Sequence, residues 1–281
     1  MHWLSAIAGL RERREASVLV TLTSVRGHAP RAAGAKMVVS AAAEFGTIGG
    51  GNLEATAVAA ARALLTSGEN EPKSFQLALN ERAPVQYGTQ CCGGEVQVLL
   101  EPLAVVPSVA IFGMGHVGVE LARILARQDL ELHLIDSRAA YAAPKSRVLY
   151  DDSLATLHWH HSPVPELVLG SVPAGTHVLI MTHDHAEDAA LCDMALRSGR
   201  LGTVGVIGSR AKWRRFEKRL REEGHSPEAV SRITSPIGVP ELVGKEPATI
   251  AVSVAAQLLQ TIAAERVAAT SSSISTTRTH Q

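Results

Sequence analysis

Residues Gly113-Met114-Gly115-His116-Val117-Gly118 spell G-x-G-x-x-G between the apolar run Val109–Phe112 and a stretch with helical apolar spacing. The pattern alone is common, but a strand before it and a helix after it make it informative. Gly113 permits a tight turn, Gly115 lets backbone approach a phosphate, and Gly118 allows helix and strand to pack closely. The helix that follows offers free N–H groups and a positive dipole end to an anion. Asp136 stands eighteen residues beyond Gly118, at the end of the next apolar run, where an acid typically accepts from a ribose. The direct expectation is a Rossmann-like domain binding a nicotinamide or flavin dinucleotide, NAD or FAD. A Rossmann domain without a dinucleotide is the alternative. No Lys–Tyr or His–Asp couple stands at a spacing suited to hydride transfer.

Alternation of apolar strands and helical segments continues around this turn. Strands are expected at Val109–Phe112, Glu131–Ile135, Thr176–Met181 and Thr203–Ile207. Helices are expected at about His116–Arg127, Glu187–Ser198 and Pro247–Ala264. That order predicts a doubly wound parallel sheet covered by helices over residues 108–268. The preceding segment, residues 1–103, has a different grammar. It predicts a mixed α+β domain with an opening helix, strands at Ala16–Ser24, Lys36–Ser40, Ser74–Leu79 and Glu95–Glu101, and a helix Leu53–Leu65 capped by Asn52. The fold class is therefore α/β, in two domains joined at Pro102–Pro107. Residues 269–281 are polar and expected to be disordered.

With 281 residues, 46% of them hydrophobic, the chain has apolar material for two cores. Lys+Arg and Asp+Glu balance at 27 each, which argues against a nucleic-acid footprint. The densest basic run, Arg210–Arg221, reads as a solvated helix face. No apolar run reaches the ~18–20 residues of a bilayer span, and the start is a poor signal peptide. Three cysteines, Cys91, Cys92 and Cys192, do not make a disulfide framework, so a cytoplasmic protein with no membrane partner is expected.

Several residues outside the turn carry chemistry. Cys92 sits between Cys91 and Gly93-Gly94, where a sulfur is accessible and the backbone is free to turn. Four-ligand zinc spacing is missing there. Gly49, Gly50 and Gly51 precede a helix and form a second anion cradle, and Arg26 and Arg31 flank the loop after the first strand, placed to hold a phosphate or oxyanion. His183, Asp184 and His185 follow a strand at the carboxyl edge of the sheet. They can face a ligand, hold a metal or form a plain turn. Ser209 can cap the helix carrying Lys212 and Arg214. His158, His160 and His161 read as edge-strand residues rather than metal ligands, and Cys192 as a buried small side chain.

Taken together, TLTSVRGHAPRAAGAKMVVS, GTIGGGNLE, CCGGEVQVLLEP, VAIFGMGHVGVELARILA, THDHAEDAALC, VGVIGSRAKW and SPIGVPELVGKEPATIAVSVAAQLL resemble the XdhC/CoxI family of xanthine dehydrogenase accessory proteins across nearly the whole chain. The resemblance implies a carrier rather than a catalyst. It would bind the molybdenum cofactor (Mo-molybdopterin), promote its sulfuration with a cysteine desulfurase, and hand it to the molybdenum-binding subunit of xanthine dehydrogenase or a related hydroxylase. It maps the family's Cys-Gly-Gly onto Cys92-Gly93-Gly94, beside the extra Cys91, and the family's Thr-His-Asp onto the stretch with His183 and Asp184. The resemblance also implies a homodimer. The site expected from it lies closed between the domains, with Gly113, Gly115, His116 and Gly118 holding the pterin phosphate and Cys92 as molybdenum neighbour or sulfur relay. An oxidoreductase using NAD(P) or FAD, and a pure adaptor between desulfurase and target, are the rival readings.

Overall fold

The computed structural model describes residues 2–79, 93–141 and 150–276, with side chains to residue 268. The chain divides into two compact units, Met1–Val105 with Ala263–Gln281, and Val106–Ile262.

The first unit opens with α1 (Trp3–Glu12), followed by β1 (Ser17–Arg26), β2 (Lys36–Ser40) and β3 (Glu44–Gly46). Then come α2 (Gly51–Ser67), β4 (Lys73–Ala78) and β5 (Glu95–Leu103). The strands form one antiparallel sheet in the order β3-β2-β1-β5-β4. Alternate residues of β1, Val18, Val20 and Leu22, are fully buried, and so are Met37, Val39, Val96 and Val98 on its neighbours. They pack with Leu53, Ala57, Ala61 and Leu64 of α2 into one core, as side chains of period 2 meet a helix stripe of period 3.6. Two expectations are corrected here. Gly50, not Asn52, is the N-cap of α2, and Asn52 is a buried residue of its first turn. The short strand β3 was not expected, because three residues with one apolar side chain carry no periodicity.

The second unit contains β6 (Ser108–Phe112), α3 (His116–Leu125), β7 (Glu131–Asp136), β8 (Thr156–His161) and β9 (His177–Ile180). These are followed by α4 (His185–Ser198), β10 (Val204–Val206), α5 (Arg210–Glu222), α6 (Pro227–Val230), β11 (Ile233–Thr234) and the start of α7 (Pro247–Thr276). Its six strands are parallel in the order β11-β10-β9-β6-β7-β8, the doubly wound arrangement expected. The β6 side chains are all buried, with Val109 and Ile111 in one core and Ala110 and Phe112 in the other. Unbroken apolar runs of this kind belong to a sheet covered on both faces.

Helix α7 departs from expectation twice. It runs to Thr276, beyond Ala264 and into the segment expected to be disordered. Once packed turns have nucleated a helix, adding Ala-rich residues costs little. Residues Pro247–Ala268 are also long and apolar enough, by length and composition, to cross a membrane. Ala251, Val254, Ala255, Leu258 and Ile262, spaced as one helical face, instead pack in the core of the second unit.

One buried ion pair ties the carboxyl ends of two strands. Asp188 of α4 is fully buried and accepts from the Thr182 N–H (3.0 Å), the Thr182 hydroxyl (2.7 Å) and the Lys212 ammonium (2.5 Å). Lys212 also donates to the Ile207 carbonyl (3.0 Å), so the loops after β9 and β10 share one anchor. Removing one partner of a buried pair leaves an uncompensated charge and costs about 3–5 kcal/mol. Lys212→Met is therefore expected to lower unfolding free energy by about that amount in urea titrations. A loss below about 1 kcal/mol would show that the pair is not holding the loops.

Candidate functional site

The turn after β6 lies where the sheet order reverses. Strands β6 and β9 are neighbours, and the chain winds away from them in opposite directions, so a crevice opens at their carboxyl ends. Gly113 has φ +102°, and a Cβ there would collide with the Met181 carbonyl. The turn is thereby pressed onto the segment that leads into Thr182. A Cβ at Gly118 would overlap the Gly113 carbonyl oxygen, so α3 can approach the turn only because that side chain is missing. Gly115 is the N-cap of α3, without a side-chain cap, and a Cβ there would meet open space. The first N–H groups of α3 are thus available to a ligand.

Beside them is a cleft of about 380 Å³ lined by Met114, Gly115, His116, Val119, Tyr141 and Pro247, with the carboxyl residues Glu120 and Glu246. His116 is exposed.

Asp136 is 2% exposed and both its oxygens are engaged. Oδ2 accepts from the Met114 N–H (2.8 Å) and Arg138 Nη2 (2.9 Å). Oδ1 accepts from the Arg138 N–H and Nε, both at 2.9 Å. Burial alone would raise the Asp136 pKa. The hydrogen bonds from Arg138 and Met114 outweigh it and hold the carboxyl below its ordinary value. The acid expected to meet a ribose is therefore the clamp that closes the glycine turn. Arg138, missed in the sequence, lies over the Tyr141 ring at 3.7 Å from its centroid. Its signal was only a basic residue two positions after the strand-ending acid.

His183 and Asp184, in the loop between β9 and α4, and His185, the first residue of α4, are exposed. Asp184 is the N-cap of α4, accepting from the Ala186 N–H at 2.7 Å. Because β9 ends at Ile180, strand alternation does not set the directions of His183 and His185. Glu187, one turn into α4, receives the Ser137 hydroxyl at 2.8 Å, and burial raises its pKa. Ser209 caps α5 as expected, accepting from the Lys212 N–H at 3.2 Å.

In the first unit, the antiparallel register brings three chain-distant loops to one end of the sheet. Arg26 pairs with Glu95, Met37 with Gly46, and Ala78 with Glu95. The loops after β1, after β3 and before β5 therefore converge. Gly94 lies against the backbone carbonyls of Arg26 and His28 so closely that no Cβ would fit. Leu79 and Gly93-Gly94 exchange backbone hydrogen bonds of 2.7 and 2.8 Å. A Cβ on Gly49 would lie 2.9 Å from Pro30, beside Arg31. Arg26 and Arg31 are both exposed at this end. Cys91 and Cys92 lie outside the described residues; Cys92 is joined directly to Gly93.

The Gly49–Gly51 cradle already holds an anion of its own. The Glu54 carboxylate accepts from the Thr47 hydroxyl (2.5 Å) and the N–H groups of Ile48 (3.0 Å) and Gly50 (3.1 Å). Burial would raise the Glu54 pKa, and these bonds outweigh it and lower it. An incoming oxyanion at Gly50 and Gly51 meets N–H groups partly committed to Glu54. Cys192 is fully buried, its thiol pushed up to about 12 by burial, so it is no nucleophile.

The family model of the XdhC Rossmann domain matches residues 109–258, and that of the XdhC and CoxI family matches residues 10–76. The chain belongs to the XdhC family. YqeB of Escherichia coli K12 is 26% identical over 260 residues, 92% of this chain and 46% of its own length. A protein of Bacillus subtilis 168 described as a probable xanthine dehydrogenase subunit is 31% identical over 161 residues, 55% of this chain and 43% of that one. The chain spans less than half the length of either relative. A solved xanthine dehydrogenase of Bacillus halodurans aligns with TM-score 0.48 and 18% identity over 94% of this chain and 96% of that one. E. coli tRNA N6-threonylcarbamoyladenosine dehydratase aligns with TM-score 0.42 and 16% identity over 57% and 88%.

Two glycines of the turn have separable roles. Gly118→Ala is expected to lower stability by about 1–3 kcal/mol through overpacking, whereas Gly115→Ala is expected to stay within about 1 kcal/mol of the parent. Urea denaturation distinguishes them, and equal losses would refute the assignment. For Asp136 the folded pKa is depressed, so its contribution to stability is present above the ordinary value near ~3.9 and fades as pH falls through the folded value. Asp136→Asn should be less stable than the parent at about pH 7, with the gap narrowing below about pH 4. A gap that stays constant from about pH 7 to about pH 3 would contradict the clamp.

Proposed function

We propose that this XdhC-family chain is an accessory protein of xanthine dehydrogenase or a related molybdenum hydroxylase. It binds the molybdenum cofactor as cargo, supports its sulfuration by a cysteine desulfurase, and delivers it to the target's molybdenum-binding subunit. The observation that carries this reading is the convergence of the Arg26–Arg31 loop, the Gly49–Gly51 loop and Gly93-Gly94 at one end of the first sheet. That end offers two exposed guanidinium groups for a phosphate or an oxyanion, next to the residue that follows Cys92.

The chemistry of the cargo fits the donors and acceptors present. A pterin phosphate suits the uncapped N-terminus of α3 at Gly115 and His116. Glu120 and Glu246 in the adjoining cleft can accept from a pterin's amino and ring N–H groups. Cys92 supplies a soft donor for molybdenum or a carrier for sulfur. The cofactor, when bound, supplies the hydroxylase's metal chemistry, and this chain holds and passes it. A second copy of the chain as partner is part of the same reading.

The competing occupant of the turn is a dinucleotide, NAD or FAD, serving an oxidoreductase. The glycine pattern favours it. Commitment of Asp136 to Arg138 and Met114 weighs against it, because a ribose would have to displace or share those bonds.

Purification without oxygen from a host that makes molybdenum cofactor tests the reading. Near-stoichiometric molybdenum and pterin are expected in the parent. Affinity should fall roughly tenfold to a hundredfold in Arg26→Ala and Arg31→Ala, from the loss of charged hydrogen bonds, and pterin retention should also fall in Cys92→Ala. Absence of pterin together with retained NAD or FAD would overturn it.

A further inference from the structure

We infer that the edge strand β8 and its neighbour β7 form a binding site for one divalent late first-row metal ion, with Glu131, His133 and His158 as ligands. This site is separate from the glycine turn and does not depend on the cofactor-carrier reading.

The placement follows from strand register. Parallel pairing sets His133 opposite His158 and Ile135 opposite His160. On both strands the intervening residues Leu132, Leu134, Leu157 and Trp159 pack in or against one core. Period 2 therefore puts Glu131, His133, His158 and His160 together on the opposite face. An edge strand with three histidines, read from its sequence as ordinary edge, is thus aligned with a carboxylate and a fourth histidine on its neighbour.

Distances match a single ion. Glu131 Oε1 lies 3.1 Å from His158 Nε2 and 3.6 Å from His133 Nε2. All three ligand atoms fall within 4.8 Å of one another. With metal–ligand bonds of about 2.0–2.2 Å, adjacent tetrahedral ligands lie about 3.3–3.6 Å apart. The His133 and His158 ring centroids are 4.7 Å apart with planes inclined by 15°, and both Nε2 atoms lie towards the same Glu131 oxygen.

His160 completes the arrangement from behind. Its Nε2 lies 3.1 Å from His133 Nδ1. That contact engages His133 through Nδ1, so its Nε2 is the ring nitrogen turned towards Glu131. Metal-bound histidines are commonly oriented in this way. The His133 side chain is 7% exposed, Glu131 18% and His158 40%, so an ion would enter from the His158 side and keep a solvent position. Two imidazoles and one carboxylate are a donor set for zinc(II) and its neighbours rather than for magnesium or calcium.

The test is isothermal titration of the full, tag-free chain with Zn²⁺, and absorption spectroscopy with Co²⁺ as a visible probe. One equivalent is expected to bind. Affinity should be at least roughly tenfold weaker in His158→Ala and in Glu131→Gln, with the Co²⁺ d–d spectrum altered in both. His133→Ala should do the same if it folds, as judged by circular dichroism. His158 and Glu131 are more exposed, and they decide the matter if it does not. No saturable uptake by the parent, or uptake that either of those two variants leaves unchanged, would overturn the site.

Discussion

The second unit is organised around a contact between two glycines. The backbone carbonyl of Gly113 occupies the space a Cβ on Gly118 would need, so α3 is pressed onto the end of β6. That approach sets where the N-terminus of α3 emerges and how close it lies to the segment after β9. A larger residue at Gly118 would push the helix outward, and one at Gly113 would meet the Met181–Thr182 backbone. The crevice at the β6–β9 reversal, the cleft beside Met114 and the reach of Arg138 all inherit their geometry from it.

A second device recurs in both units. Glycine-rich loops are floppy unless something holds them, and here single carboxylates do so. Glu54 gathers N–H groups from Ile48 and Gly50, and Asp136 pins Met114 and Arg138. Buried Asp188 ties Thr182 to Lys212. In each case the loop is organised by the chain itself, and the ordering entropy is met in folding rather than at binding. The consequence for ligand chemistry is that N–H groups which look open in the sequence are already spoken for. Among the described residues, the start of α3 and the exposed Arg26 and Arg31 are open to an anion.

The family relationship and the architecture were legible because they are written in periodicity and in ordered motifs. Strands such as Ser108–Phe112 are apolar almost throughout, α2 and α3 follow their glycines, and the strand–turn–helix context separates GMGHVG from a chance match. Short elements such as β3 and β11 were not legible. Two or three residues pair because their neighbours hold them in place, and they carry no period of their own. Helix α7 outruns its sequence signal, because the small and polar residues after Ala264 look like tail until a packed helix extends through them.

The sequence by itself determined the two sheets, the position of the phosphate-type turn and membership of the XdhC family, since these depend on local pattern and residue order. Tertiary structure alone decided which side chains are partners. Asp136 meets Arg138 and Met114 instead of standing free, Glu54 fills its own glycine loop, and Gly94 rests on Arg26 and His28. Glu131 and His133 meet His158 only because parallel register aligns strands 25 residues apart. The physical reason is range. Period and propensity act over a few residues, whereas hydrogen bonds and metal geometry act over a few ångströms, and only the fold converts one into the other.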